Sequence, residues 1–209
     1  MAALTALRSK VQPHVLGCPL PMIDDAILQA VVEFCNRSRA YRFTPAQITV
    51  VASTADYTVS DLPANTAIAW LLSAELDEVP IDTPDAGSIP VLWETEEGSP
   101  TAAVVVGETQ VGLRRVPDEA GTLDMRLALR PSQSATTYPD EFHNLYQDQI
   151  AAGALAKLYA QPRKEWSTPD LVKDCRNQFE AAIYTAEYRA DRGSAAAPAR
   201  TSLSLIGGH

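Results

Sequence analysis

The apolar residues between positions 138 and 190 recur at steps of three and four, which is the spacing of one face of an α-helix. A break at residues 161–169, with Pro162 near its start and Pro169 at its end, divides the pattern into two helices. The apolar face before the break is Phe142, Leu145, Tyr146, Ile150, Ala154, Leu155 and Leu158. The face after it is Leu171, Cys175, Phe179, Ala182, Ile183 and Ala186. We therefore predict a helical hairpin that packs against something else.

Residues typical of helix ends support this hairpin. Pro139 suits the first turn of the first helix, and the two acids that follow it favour the positive end of the helix dipole. Pro169 fits the first position of the second helix, after Ser167 or Thr168 as the capping residue. Gly153 lies on the apolar face, where its small size predicts the close approach of another helix, although a merely tolerated interior glycine is the alternative.

The N-terminal part of the chain is also helical in pattern. A short helix is expected over residues 2–10, followed by a turning segment rich in proline and glycine. A helix of about four turns follows, since its apolar residues again have helical spacing. These residues are Ile23, Ala26, Ile27, Ala30, Val31 and Phe34.

The middle of the chain has a different pattern, with short alternating runs rich in Val, Thr and Ile. Leu123, Met125, Leu127 and Leu129 alternate with mostly polar residues, so we expect a strand with one buried face. The other expected strands are 47–52, 67–72, 75–81, 91–95, 102–106 and 111–116, with hairpin turns at 96–98 and 117–121.

These patterns predict an α+β fold in which a helical bundle carries a central β-rich insertion. The long C-terminal helical hairpin and the N-terminal helix would form the bundle. The expected boundaries are 1–44 for the N-terminal helices, 45–131 for the insertion, 132–192 for the hairpin and 193–209 for a flexible tail. The tail is rich in Ala, Ser and Gly, and alone it cannot bury enough apolar surface to become ordered.

Composition narrows the classes of function. Of the 209 residues, 46% are hydrophobic, which is enough for a core. No apolar run approaches the ~18 residues of a membrane span, and no hydrophobic signal core follows residues 1–8. We therefore expect no membrane partner and a protein that stays in the cytoplasm where it is made. The net charge of −9 argues against a dedicated nucleic-acid grip, but it is compatible with a surface past which DNA slides.

Residues that carry chemistry are few and scattered. Cys18, Cys35 and Cys175 have neither metal nor disulfide spacing, and we interpret them as structural. The three histidines form no zinc motif, and phosphate-binding and nucleophile motifs are missing from the sequence. We therefore predict that the protein is not an enzyme and binds no cofactor. The candidates for a hydrolase carboxylate pair are Asp77, Glu78, Glu94, Glu96 and Glu97, which we interpret as solvated acids.

Interfaces are the more promising kind of site. Four arginines of the β-rich region are either solvated and paired with nearby acids, or form ion pairs with a neighbouring subunit: Arg114, Arg115, Arg126 and Arg130. Trp166 lies in the break of the hairpin, where it either packs on its own fold or anchors a subunit contact. The tail carries three apolar residues that could order on a partner: Leu203, Leu205 and Ile206.

Several of these segments together resemble a known family. They are the Gly-Cys-Pro of residues 17–19 and the helix at 30–35, then residues 129–132, 138–140, 150–158 and 162–166, and Phe179. Over about residues 5–192 the chain resembles the head-to-tail adaptor, or connector, proteins of tailed bacteriophages, in particular of short-tailed phages. Each motif is weak alone, and the combination is what carries the resemblance.

The resemblance implies a structural protein of the virion neck, made in the host cytoplasm. It implies a ring of copies, usually twelve, that is attached beneath the portal protein and presents a platform to the tail or nozzle protein. Double-stranded DNA would pass through the ring without sequence-specific binding. The alternatives are another neck or tail-completion protein and, from a different class, a cell-wall hydrolase carried in the virion.

Overall fold

A computed structural model describes residues 1–84 and 95–192 of the chain. The described residues form an α+β fold with four α-helices and ten strands, so the predicted class is confirmed. The helices are α1 Arg8–Val11, α2 Leu20–Ser38, α3 Asp140–Tyr159 and α4 Pro169–Arg192. The strands are β1 Ala2–Ala3, β2 Arg42–Phe43, β3 Ile48–Val50, β4 Asp56–Thr58, β5 Thr66–Leu76, β6 Val79–Ile81, β7 Ala102–Val105, β8 Gln110–Arg114, β9 Gly121–Pro131 and β10 Thr137–Tyr138.

The N-terminal segment differs from the expected helix over residues 2–10. Its first residues form β1, which pairs antiparallel with β10 just before α3. Short 3₁₀ turns, Leu4–Leu7 and Gln12–His14, then flank the single turn of α1. Pairing with a strand more than a hundred positions away is a tertiary effect, which local helical spacing does not report.

The three long helices were predicted close to their positions. Helix α2 begins at Leu20, one turn earlier than its apolar pattern, and ends where Arg39 adopts a left-handed conformation with a φ of 51°. Helices α3 and α4 begin after Pro139 and at Pro169, as expected. The prediction that Leu145 and Leu171 lie on the buried apolar faces is wrong, because these residues are 46% and 44% exposed.

A first hydrophobic cluster joins residues from both ends of the chain. Buried residues of α2, α3 and α4 meet there with residues of α1 and the turns around it. Phe34 lies at its centre, with the rings of Phe142 and Tyr146 5.3 and 5.2 Å away between centroids. The helices thus bury the faces that the sequence predicted, apart from the two leucines.

Strand β9 organises the larger sheet. It pairs with β5 along most of its length and, on its other edge, with β2 and β3. Its leucines and Met125 are buried, and they face a second cluster shared with the small sheet β4-β8-β7. The predicted alternation is confirmed except at Ala128, which is also buried.

Three expectations about the β region were wrong. The strand expected at 67–72 continues to Leu76 as β5, whose irregular register near Trp70 disguises its period, and the strand expected at 75–81 is divided between the end of β5 and β6. Its turn into β6 lies at Asp77 and Glu78, with φ values of 49° and 66°. Residues 117–121 cross from β8 to β9, which belong to different sheets, so they are no hairpin turn. Glu97, expected in a hairpin turn, forms an isolated parallel bridge with Val116.

Trp70 connects the large sheet to the end of α2. Its indole N–H donates to the main-chain carbonyl of Asn36, 2.8 Å away in the last turn of α2. The guanidinium carbon of Arg39 lies 4.1 Å from the centroid of the Trp70 ring. Tyr41 packs against both clusters, and its carbonyl accepts a hydrogen bond from the amide of Leu129. The helices and the large sheet are therefore held together by specific polar contacts as well as by packing.

Candidate assembly surfaces

The hairpin of α3 and α4 is closed by a close contact at Gly153. A Cβ atom at this position would lie 2.6 Å from Cδ2 of Phe179 and 2.8 Å from its Cγ. Phe179 is only 3% exposed, so its ring has little room to move away. The prediction that Gly153 permits a close helix approach is confirmed, and the helix that approaches is α4 of the same chain.

A charged network joins the three long helices on one side. Nζ of Lys157 in α3 lies 2.6 Å from Glu33 in α2, and Arg37 of α2 donates to both carboxylate oxygens of Glu180 in α4. The hydrogen bonds from Arg37 lower the pKa of Glu180 below its ordinary value. The same bonds raise the pKa of the Arg37 guanidinium. The charged groups on this side of the helices are thus paired with one another within the chain.

The turn between α3 and α4 holds Trp166 against the fold. Its ring is half-buried and packs on the first cluster, and its N–H donates to the side chain of Gln161, 3.3 Å away. Nζ of Lys164 lies 5.7 Å from the ring centroid. Leu16, 77% exposed, belongs to the neighbouring loop, in which Gly17 approaches Glu165. The turn and the loop beside it therefore present a partly accessible aromatic side chain and an exposed leucine.

The four arginines of the β region differ in their surroundings. Arg114 lies 3.3 Å from Asp56, and Arg130 lies 2.9 Å from Glu108. Arg115 lies 3.6 Å from Glu96. Arg126 is exposed and has no ion pair with the described residues of its own chain. For three of the four, an acid of the same chain is thus close by.

Arg126 lines a cleft between the large sheet and the end of α4. The cleft has a volume of about 390 Å³. Arg42 lies on the same wall and forms a salt bridge of 2.5 Å with Asp191. Phe43 and Leu72 give the cleft an apolar part. A carboxylate of another protein, with an apolar side chain beside it, would complement the positive charge of Arg126 and the apolar part of the lining.

The outer side of the hairpin is a second accessible surface. Tyr184 and Tyr188 of α4 are 63% and 55% exposed, on the side opposite the buried face of the helix. Beside them runs a groove of about 560 Å³ between α3 and α4. Its lining includes Leu145, Ala181 and several amide side chains. Sequence reasoning missed both tyrosines, although their spacing opposite the apolar face was visible in the helical pattern.

The carboxylates considered for hydrolysis lie in different surroundings. Asp77 is a turn residue, and its Oδ1 accepts hydrogen bonds from the amide and the hydroxyl of Thr122. Glu96 lies beside Arg115, and Glu94 is outside the described residues. In the part of the chain that the structure describes, no group of three or more His, Cys, Asp or Glu side chains could hold a metal ion.

Cys35, which the sequence predicts to be structural, and His143 both have clear surroundings. Cys35 is fully buried, and burial raises the pKa of its thiol. His143 lies with Nδ1 2.7 Å from the hydroxyl of Tyr138, whose pKa burial raises to about 12. Cys175 and Cys18 are half-buried, in agreement with packing roles. Leu203, Leu205 and Ile206 lie outside the described residues. Among the helices that the structure describes, none is long and apolar enough to span a membrane.

The described surfaces are exposed faces and clefts of the kind that contact other proteins. Comparison with known protein families points to the same class, a protein that assembles with others. The sequence model of the SU10 adaptor protein family matches residues 3–202. The chain belongs to this family of phage adaptor proteins, which are components of the virion. The resemblance drawn from the sequence is thereby confirmed, and the match extends ten residues beyond the expected limit at 192. No protein with curated annotation matches the chain.

Proposed function

We propose that this protein is a head-to-tail adaptor that sits in the virion neck between the portal protein and the tail or nozzle protein. The observation that carries this proposal is the match to the SU10 adaptor protein family over residues 3–202. Copies of the chain form a ring, twelve in number, and double-stranded DNA passes through its channel. The net charge of −9 supports this role, since an acidic wall repels phosphates and does not retain DNA.

In the proposed architecture, residues 1–44 and 132–192 form the helical bundle, and residues 45–131 form the insertion. The first hydrophobic cluster supports this division because its fully buried members come from residues 4–35 and 138–186. The fully buried members of the second cluster all lie between Val50 and Leu129. The bundle would build the ring wall, and the insertion would supply lateral or downward contacts.

Arg126 and Trp166 are the described residues that we assign to contacts between subunits. The cleft around Arg126 supports its assignment, because the guanidinium is exposed beside an apolar lining. Acidic side chains are abundant on this chain, so a neighbouring copy can supply the carboxylate. Arg114, Arg115 and Arg130, which already have acids nearby, would contribute less. Each ring contact need bury only about 800 Å² per partner, because closure makes the loss of one subunit cooperative.

Electron microscopy of the purified protein tests this function directly. The protein is imaged alone, with rings of the portal protein, and with the tail or nozzle protein. We expect a ring of twelve copies seated on the portal, with its free side able to take the tail protein. Binding to a preformed adaptor but not to the portal would instead identify another neck or tail-completion protein.

The tail at 193–209 is proposed to dock on the portal through Leu203, Leu205 and Ile206. Its support is compositional, since three apolar residues stand in a segment that cannot form a core of its own. A chain ending at Arg192 should keep its fold, as judged by circular dichroism, and co-sediment more weakly with portal rings. Equal co-sedimentation of the shortened and full chains would refute this role for the tail.

A further inference from the structure

One stripe of exposed residues runs the whole length of α4 on its outer side. The residues recur at steps of three and four, so they lie in line along the helix. They are all exposed: Asp170, Asp174, Asn177, Ala181, Tyr184, Tyr188 and Arg192. The stripe is opposite the face that α4 buries against α2 and α3, and contacts among the described residues leave it exposed.

The middle of the stripe is uncharged. From Asn177 to Tyr188, every exposed residue of α4 lacks a charge, on a chain in which 21% of residues are charged. The two acids in this interval, Glu180 and Glu187, are half-buried on another side of the helix. Tyr184 and Tyr188 are the exposed aromatic residues of this interval, and exposed aromatic residues are typical of the centre of a protein–protein contact.

The two ends of the stripe carry opposite charges. Asp170 and Asp174 lie at the start of α4, and Arg192 lies at its end, with its guanidinium carbon 4.4 Å from the centroid of the Tyr188 ring. Ala181 is the middle residue of the seven. The stripe therefore matches a reversed copy of itself at its charged ends, with Asp170 opposite Arg192 and Asp174 opposite Tyr188, each pair equally far from Ala181.

We infer that two copies of the free chain pair through this stripe, with their α4 helices antiparallel and a two-fold axis at Ala181. The small side chain at the axis lets the helices approach to about 8 Å. Each Tyr188 hydroxyl can then donate to the partner's Asp174, and each Arg192 forms an ion pair with the partner's Asp170. A parallel pairing in register would instead place like charges opposite each other at both ends.

A second copy fits this surface better than other occupants. DNA requires a basic surface, and the centre of this stripe is neutral. An unrelated protein has no reason to match the stripe in reverse order, whereas two-fold self-association demands it. Two copies that each carry −9 also repel, so an uncharged centre with paired ends is where they can meet closely.

The pairing has a consequence for assembly, and this consequence rests on the proposed function. A two-fold contact closes on itself, whereas a ring requires two different faces that meet head to tail. The pair would cover the outer side of the hairpin in the free protein and would have to open before a ring closes. Its role would be to keep free subunits from assembling away from the portal.

Sedimentation at rising protein concentration measures the pairing. We expect a reversible dimer, because the neutral part of the stripe spans only about three helical turns, ~17 Å. Replacing Tyr188→Lys should raise the dissociation constant about tenfold or more, as for a buried aromatic anchor. Val79→Lys, at a residue 62% exposed in β6, is the matched control and should leave the dimer unchanged. A monomer at every concentration, or equal effects of the two changes, would overturn the inference.

Two further variants test the axis and the direction of pairing. Ala181→Cys should form a disulfide-linked dimer on oxidation, and Val79→Cys should not. Asp170→Arg and Arg192→Asp should each weaken the dimer, and the double variant should restore it, because the charges are exchanged across the axis. This geometry would be refuted if the double variant did not regain the wild-type dimer affinity, or if disulfide-linked dimers formed only with Val79→Cys. Electron microscopy of rings on the portal reports on the proposed function separately.

Discussion

The indole N–H of Trp70 donates to the main-chain carbonyl of Asn36, 2.8 Å away, and joins the longest strand pair to the end of α2. Trp70→Phe removes this donor and leaves a partly buried carbonyl without its partner. We expect the free energy of unfolding to fall by about 1–3 kcal/mol. Chemical denaturation measures the loss. Trp166→Phe is the control, because its partner Gln161 lies in the same turn and can bind water instead. Equal losses in the two variants would contradict a special role for Trp70.

Gly153→Ala should destabilise the hairpin although alanine favours helix. The new Cβ would lie 2.6 Å from the ring of buried Phe179. Overpacking costs about 1–3 kcal/mol, and alanine returns up to ~1 kcal/mol of helix propensity. We expect a net loss of up to about 2 kcal/mol by thermal or chemical unfolding. Gly107→Ala is the matched control, since its nearest neighbour would lie at 3.9 Å. A gain in stability for Gly153→Ala would show that Phe179 moves aside.

Acid should remove the contribution of the Arg37–Glu180 pair. The pKa of Glu180 is lower in the folded chain than its ordinary value of 4.5, so the unfolded chain binds the proton first as the pH falls. The stabilisation is therefore complete above that ordinary value and is lost as the pH falls through the lowered pKa.

Comparison of the wild type with Glu180→Gln across pH measures this effect. The difference in unfolding free energy should be constant near neutral pH and should shrink in acid. Glu141→Gln, at an exposed residue of α3, is the control, and its difference in unfolding free energy from the wild type should not shrink in acid in this way. A difference that widens in acid would contradict the assignment.

Arg126→Ala should weaken contacts between copies without weakening the monomer. The residue is exposed and forms no ion pair with the described part of its own chain, so its removal should change the unfolding free energy by less than about 0.5 kcal/mol. Ring formation on the portal, counted by electron microscopy, should fall. Arg130→Ala is the comparison, because it removes an ion pair with Glu108 inside the chain. Normal rings with Arg126→Ala would exclude Arg126 from the contact.

Local spacing was enough to predict α2, α3, α4 and the buried face of β9. Each of these elements packs one face against the core, and the period of that face is visible in the sequence. Leu145 was misplaced because an apolar residue at the right spacing need not face the core. The period of β5 was disguised by the shift of register at Trp70, which depends on its partner strand.

The accessible surfaces were harder to predict than the fold. The environments of Arg114 and Arg126 differ because Asp56 comes from a distant strand, and strand order is not visible in the sequence. The stripe centred on Ala181 was hidden for another reason. The helical period indicates only the buried apolar face of α4, whereas Tyr184 and Tyr188 lie on the opposite side.

The composition of the first cluster also bears on how the chain folds during synthesis. Phe34 is made early, but its aromatic neighbours Phe142, Tyr146 and Phe179 are made more than a hundred residues later. The fully buried part of the second cluster is complete once Leu129 has left the ribosome. The sheets can therefore form while α2 still has an uncovered apolar face, and that face is open to chaperones and to aggregation until α4 arrives. The closing of the helices thus depends on contacts of long sequence separation, and such contacts form slowly in folding.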